Sequence, residues 1–195
     1  MEEPTAAYWD HFYKTGQTGW DIGYVSTPLK EYFDQLEDKS AKVLIPGAGN
    51  AYEAEYLHQN GFNNVYVLEY SVESIKSFRK RYPVFPENRF LIEDFFEHKG
   101  QYDLIVEQTF FSSIARKRRP EYAQKMHELL KPGGKLVGLL FTHEFDFKEP
   151  PYGGTIDEYR NLFKPYFRFN TFEIAYNSIK PRAGRELFFI LQKKL

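Results

Sequence analysis

Two glycines and one carboxylate have the types and spacing to do chemistry. Val43-Leu44-Ile45-Pro46 runs into Gly47-Ala48-Gly49, and a later apolar run, Val65-Tyr66-Val67-Leu68, ends on Glu69. A Gly-x-Gly turn with an acid about twenty residues on, at the next strand end, is the pattern of a ribose-binding βαβ unit. The glycines let the backbone approach a ligand or adopt positive φ, and the acid accepts hydrogen bonds from ribose hydroxyls. Many turns share this pattern, so it does not by itself say whose ribose is held.

Other polar residues fall at strand ends too. Asp94, next to Phe95, follows the third short apolar run, and Glu107 and Gln108 close the fourth. Arg116-Lys117-Arg118-Arg119 is an unbroken basic run, of which Arg119 precedes Pro120 at a helix start. The five histidines, His11, His58, His98, His127 and His143, lack the spacing of metal ligands, so no metal site is expected. His143 follows the fifth strand, where an imidazole could assist a deprotonation or simply sit in a loop.

The elements that position these residues follow from periodicity. Tyr8, Trp9, Phe12 and Tyr13 lie at helical spacing before a Gly16–Gly19 loop and Trp20-Asp21, and both tryptophans of the chain fall here. A helix follows, with Thr27 as N-cap and Pro28 first. From residue 42 strands and helices alternate. Strands are expected at 43–46, 65–69, 89–92, 102–107 and 135–141, and helices at 51–59, 71–82, 120–130 and 156–163. Lys131-Pro132-Gly133-Gly134 reads as a stop before the fifth strand. Two last strands, 167–176 and 186–192, joined through Pro181-Arg182-Ala183-Gly184, form an antiparallel hairpin at one edge. The sum is an α/β fold: a doubly wound, mostly parallel seven-stranded sheet with an antiparallel last strand. Ligands of such sheets sit beyond the carboxyl ends of the strands.

Composition narrows the class. At 195 residues one domain is expected, with residues 1–41 as an aromatic helical cap. The net charge of −1 offers no general attraction to nucleic acid or anionic membrane. No cysteine is present, which excludes disulfides, thiolate metal sites and a cysteine nucleophile. With no signal-like start and no apolar run of membrane-spanning length, the expectation is a cytoplasmic protein.

Longer stretches carry a resemblance. Residues 9–21, the Val43 to Gly49 strand and loop, Glu93-Asp94-Phe95-Phe96, Thr109-Phe110-Phe111 with Ile114, Arg119-Pro120, Leu129 through Gly134, Pro150-Pro151-Tyr152 and Arg182 to Glu186 resemble one group. It is the class I S-adenosylmethionine-dependent methyltransferases of the thiopurine and plant-type thiol, thiocyanate and halide kind. The resemblance implies S-adenosyl-L-methionine as cofactor and a small, soft nucleophile as acceptor: a thiol, thiopurine, thiocyanate or halide. It also implies that Trp9, Tyr13, Trp20, Gly47, Gly49, Glu69, Asp94, Phe95 and Gln108 serve the cofactor, and that Arg119, Tyr152 and Trp20 face the acceptor. The chain departs from the group at Asn50, Ala51, Tyr52 and Glu53, where more glycine and then Asp are usual. Gln108 stands where the plant-type branch tends to have Tyr. A methyltransferase of RNA or protein, resting on the basic run, and a cofactor-binding domain without turnover are the competing readings.

Overall fold

Aromatics at helical spacing between Thr5 and Gly16 produce α1 (Ala6–Thr15), which Thr5 caps through its hydroxyl and Gly16 ends in the left-handed conformation. A computed structural model of the chain describes residues 4–146 and 148–195. The described chain divides into two compact units, one up to His98 and one from Lys99.

The first unit continues with α2 (Thr27–Asp34), β1 (Val43–Pro46), α3 (Tyr52–Gln59), β2 (Val65–Leu68), α4 (Val72–Arg81) and the two-residue β3 (Phe90–Leu91). β1 is buried along its whole length and pairs in parallel with β2, which pairs in parallel with β3. Short aliphatic strands buried on both faces are what parallel pairing under helices selects. Two starts differ from expectation. The N-cap of α2 is Ser26, not Thr27, because Ser26 keeps extended backbone and its N–H donates to the Glu53 carboxylate at 3.3 Å. The helix after β1 opens at Tyr52, since Ala51 adopts φ 53° and serves as the cap. Ser71 caps α4 as its sequence suggests, accepting from Ser74 N–H at 3.3 Å.

The second unit comprises β4 (Tyr102–Gln108), α5 (Phe110–Ser113), α6 (Arg119–Leu129), β5 (Leu130–Phe141), α7 (Ile156–Phe163), β6 (Phe167–Ile174) and β7 (Glu186–Lys193). The one-turn α5 was not anticipated, being too short for periodicity to register. Lys131 to Gly134 does not precede the fifth strand but interrupts it. β4 and β5 pair at Tyr102↔Leu130 and resume at Leu104↔Lys135, with the extra residues accommodated in an irregularity. Lys131 Nζ bonds both Asp103 carboxylate oxygens at 2.9 and 2.8 Å, and a Cβ on Gly134 would lie 3.0–3.2 Å from three backbone oxygens. A side chain there would press on all three. β7 runs antiparallel to both β5 and β6 as the hairpin requires, and Phe163, Phe167 and Phe189 are buried around it.

The strand order is β3-β2-β1-β4-β5-β7-β6 in one seven-stranded sheet. This is the doubly wound architecture with an antiparallel seventh strand. Among the described residues no helix is long and apolar enough to cross a membrane.

Candidate functional site

In the first unit the turn after β1 alternates handedness. Gly47, Gly49 and Ala51 take φ of 56°, 54° and 53°, so the chain winds tightly between β1 and α3. Gly47 N–H donates to Leu68 O at 2.8 Å, which fixes the start of the turn against the end of β2. The positive φ of Gly49 favours glycine, and a Cβ there would lie 2.5 Å from the Tyr13 hydroxyl, which would have to move.

Glu69 follows β2 and is buried. One carboxylate oxygen accepts from Gly49 N–H and the other from Ser71 N–H, each at 2.9 Å. It therefore ties the glycine turn to the α4 cap. Burial pushes its pKa up, against the pull of these backbone donors. Each oxygen still has acceptor capacity beyond one backbone N–H.

The aromatic segment is fastened to this turn from two sides. Asp10 on α1 accepts from Ser71 Oγ at 2.7 Å and Glu73 N–H at 3.1 Å, adding a tertiary cap to α4. Asp21 accepts from the Asn50 amide, and from Tyr52 Oη at 3.3 Å. Arg81 completes the arrangement, bonding Glu55 at 2.7 Å and lying 4.2 Å from the Tyr52 ring centroid. Asn50 and Tyr52, the residues that depart from the expected loop, are thus the partners of Asp21. Trp20 packs edge-on against Trp9 at 5.4 Å and Tyr13 at 6.0 Å, all three half-buried. Burial and then the Glu69 charge raise the Tyr13 pKa, so its hydroxyl stays protonated.

Trp9, Tyr13, Trp20, Gly47, Gly49 and Glu69 are thus gathered in one place. Asp94 and Phe95 follow β3 in the chain. Asp94 is exposed and accepts from Phe96 N–H at 2.8 Å in its own turn, while Phe95 is buried edge-on to Phe96. Sequence reasoning gave Asp10 and Asp21 no role. The departures at Asn50 and Tyr52 were the signal available.

In the second unit Gln108 ends β4, and its Oε1 is shielded from solvent with no hydrogen-bond partner among the described residues. Thr109 then takes φ 61° and turns the chain into α5. Just before it, fully buried Glu107 accepts from Phe111 N–H at 2.9 Å and Tyr122 Oη at 2.5 Å. Burial pushes Glu107 up to about 7 although both bonds pull downward.

Arg119 is buried, and its charge is spent on its own chain. Its guanidinium donates to Tyr152 O at 3.1 Å, Gly153 O at 3.0 Å and Glu158 at 3.1 Å, and lies 4.4 Å from the Phe111 ring centroid. Burial lowers its pKa, with Tyr159 and Glu158 opposing. Tyr152 N–H donates to Ser112 O at 2.7 Å, so Arg119 and Tyr152 do come together. Their contact is through Tyr152's carbonyl. Two other arginines of the basic run are paired as well, Arg116 with Glu144 and Arg118 with Glu121.

A family model for thiopurine S-methyltransferase (TPMT) matches residues 4–189. The chain belongs to this family. A probable thiol methyltransferase 2 of Arabidopsis thaliana is 30% identical over 193 residues, covering 95% of this chain and 84% of the relative. Thiocyanate methyltransferase 1 of Brassica oleracea is 27% identical over 184 residues, covering 91% and 81%. Among solved structures, Burkholderia thailandensis 1,6-didemethyltoxoflavin-N1-methyltransferase superposes with a TM-score of 0.77 at 18% identity. It covers 97% of this chain and 87% of that one, and it carries 1,6-didemethyltoxoflavin and S-adenosylhomocysteine. At that identity the likeness speaks for the fold. The glycine turn and the clamped carboxylate present the backbone donors and the acceptor oxygens that the ribose of a nucleoside cofactor would need.

Proposed function

We propose that the protein is an S-adenosylmethionine-dependent methyltransferase whose acceptor is sulfur in a small, soft nucleophile such as a thiol, thiopurine or thiocyanate, with halide as a further candidate. One observation carries the reading. Glu69 is held at the end of β2 with both oxygens fixed by backbone donors, beside a turn whose Gly49 stands at φ 54° against the Tyr13 hydroxyl. That pre-organises an acceptor for a ribose diol. Gln108 supports the reading with a buried, unpartnered amide oxygen suited to an ammonium or amino donor. Trp9, Tyr13 and Trp20 supply an aromatic wall, and residues 1–41 act as the cap over the cofactor. Asp94 and Phe95 are assigned to the adenine, and Tyr152 with Trp20 to the acceptor.

When bound, the cofactor supplies an already activated methyl group, so the protein needs chiefly to align the acceptor and exclude water. The aromatic segment and the Asp21–Asn50 tie suit both tasks. Against the RNA reading, Arg116, Arg118 and Arg119 are each paired with a carboxylate of the same unit, which leaves the basic run less free charge to offer a phosphate. The reading without turnover loses its own, because Asn50 and Tyr52 have a role in holding Asp21. The family match runs through both units and supports residues 1–195 as one methyltransferase domain, which we place in the cytoplasm.

The test is incubation with labelled S-adenosylmethionine and a panel of thiols, thiopurine, thiocyanate, iodide, RNA and peptides. Label should pass to the sulfur compounds. Transfer to RNA or peptide alone would replace this reading by the macromolecular one.

A further inference from the structure

In the first unit, Glu69 and the aromatic segment are attached at the same two places. The Glu69 carboxylate accepts from Gly49 N–H and Ser71 N–H. Asp21 accepts from the amide of Asn50, the residue after Gly49, and Asp10 accepts from the hydroxyl of Ser71 itself at 2.7 Å. A closed ring results. It runs from Glu69 through Gly49 and Asn50 to Asp21, along the chain back to Asp10, and through Ser71 to Glu69.

The two attachments differ in how firmly they are made. Beside the Asp10–Ser71 bond, Asp10 also accepts from Glu73 N–H at 3.1 Å, Lys14 lies 3.7 Å from Glu73, and Tyr70 Oη donates to Pro4 O at 2.8 Å. Around Asp21 the chain is pliant. Gly16 and Gly23 take φ of 67° and 83°, and a Cβ on either, or on Gly19, would meet nothing within 4 Å among the described residues. Residues 16–23 thus form a strap that carries Trp20 between two glycine pivots. Asp21 fastens it. One carboxylate oxygen accepts from Asn50 and from Tyr52 Oη at 3.3 Å, and the other steadies the strap's own turn by accepting from Gly23 N–H at 2.7 Å. The receiving side is braced by Arg81, which donates to Asn50 O and to Glu55 at 2.7 Å and lies 4.2 Å from the Tyr52 ring centroid.

We propose that Asp21 is a positioning residue for the cofactor, a latch that couples closure of the Trp20 strap to the glycine turn and Glu69. This rests on the S-adenosylmethionine reading above. With the latch made, the turn keeps Gly49 N–H on Glu69, and the strap keeps Trp20 against Tyr13, whose hydroxyl faces Gly49. With it broken, the strap swings on Gly16 and Gly23, and a ligand must close it again at the expense of its own affinity. By linkage the dependence is mutual: a ligand that binds better with the strap closed also holds the strap closed.

Calorimetry with S-adenosylhomocysteine and chymotrypsin cleavage at Trp20, both on the full chain, test the latch. Asp21→Ala should weaken binding about tenfold, because apparent affinity falls with the fraction of molecules in the closed form. Asn50→Ala should cost about as much, and the double variant no more than Asp21→Ala alone, since both changes break one latch. Without ligand, Asp21→Ala should be cut at Trp20 faster than the wild type. Saturating S-adenosylhomocysteine should bring the rate back towards the wild-type value, because cleavage follows the open population. A loop that had merely lost stability would be cut at a rate the ligand does not alter. Wild-type affinity in Asp21→Ala, losses that add in the double variant, or cleavage indifferent to the ligand overturns the proposal. A wild type that does not bind S-adenosylhomocysteine would instead remove the reading on which it rests, and the two failures are separable.

Discussion

Glu69 and Glu107 are the same residue at similar places, each at the carboxyl end of a strand and each buried, one in each unit. Their partners differ. Among the described residues Glu69 accepts from backbone N–H groups, those of Gly49, Tyr70 and Ser71, and one of them belongs to the glycine turn. Glu107 is enclosed by the Phe111 N–H and the Tyr122 hydroxyl, with Gly138 opposite it in the ladder and no space there for a Cβ. A carboxylate beside bare backbone can receive a ligand. One walled in by side chains serves as an internal joint.

The largest effect should be on the joint. Glu107→Ala leaves the Tyr122 hydroxyl and Phe111 N–H unpaired in the core, at a cost of about 3 kcal/mol of unfolding free energy in urea titration. Cofactor affinity of the folded fraction should change little. The pH dependence gives a signature. The unfolded Glu107 titrates near 4.5 and the folded one near 7, so between these values only the folded state keeps the proton. Its contribution is complete below pH 4.5 and is lost as pH rises towards 7. Glu107→Gln should flatten that slope, and an unaltered slope would mean that another buried acid sets it.

Next comes the ligand side. Glu69→Ala should weaken binding of S-adenosylhomocysteine by about 10- to 100-fold in calorimetry, the worth of a charged acceptor to a ribose diol. Glu69→Gln should lose less, because it keeps one acceptor oxygen. Wild-type affinity in both variants would assign Glu69 to the same structural class as Glu107.

Arg119→Met is a smaller test of the same contrast. From the sequence, a permanent cation near the acceptor should favour anions, so this variant should harm thiocyanate turnover more than thiol turnover. The geometry predicts otherwise. Arg119 is bound to Tyr152 O, Gly153 O and Glu158, so the variant should loosen that loop and raise KM for both acceptors alike, by roughly tenfold. A loss confined to anions would return Arg119 to the substrate.

The smallest effect concerns Ala51. At φ 53° its Cβ costs about 1 kcal/mol, while glycine there gives back about 0.4–1 kcal/mol through a freer unfolded chain. Ala51→Gly should therefore shift Tm only slightly. A clear loss of stability would show that the buried methyl contributes more by packing than the conformation costs.

Much of the fold could be read from residue order. Val43 to Pro46, Val65 to Leu68 and Tyr102 to Gln108 declare themselves as strands by being apolar, and Gly47, Gly49 and Glu69 follow from spacing alone. Errors gathered where local signals conflict. Pro132-Gly133-Gly134 reads as an end, but the hydrogen-bonded partner β4 carries the strand past it. Thr27 and Ser26 both suit a cap, and contact with Glu53 decides between them.

What the sequence determined by itself is therefore short-range: the alternation of strands and helices, the turn that needs glycine, and an acid at the next strand end. These depend on φ, on side-chain period and on solvent preference, each of which acts within a few residues. Tertiary structure alone decided how the polar side chains are spent. It brought Asp10 to Ser71 across 61 positions, Asp21 to Asn50 across 29 and Arg119 to Tyr152 across 33. A buried charge must find a partner wherever packing places one. That partner is set by how elements meet, and no local pattern in the chain encodes it.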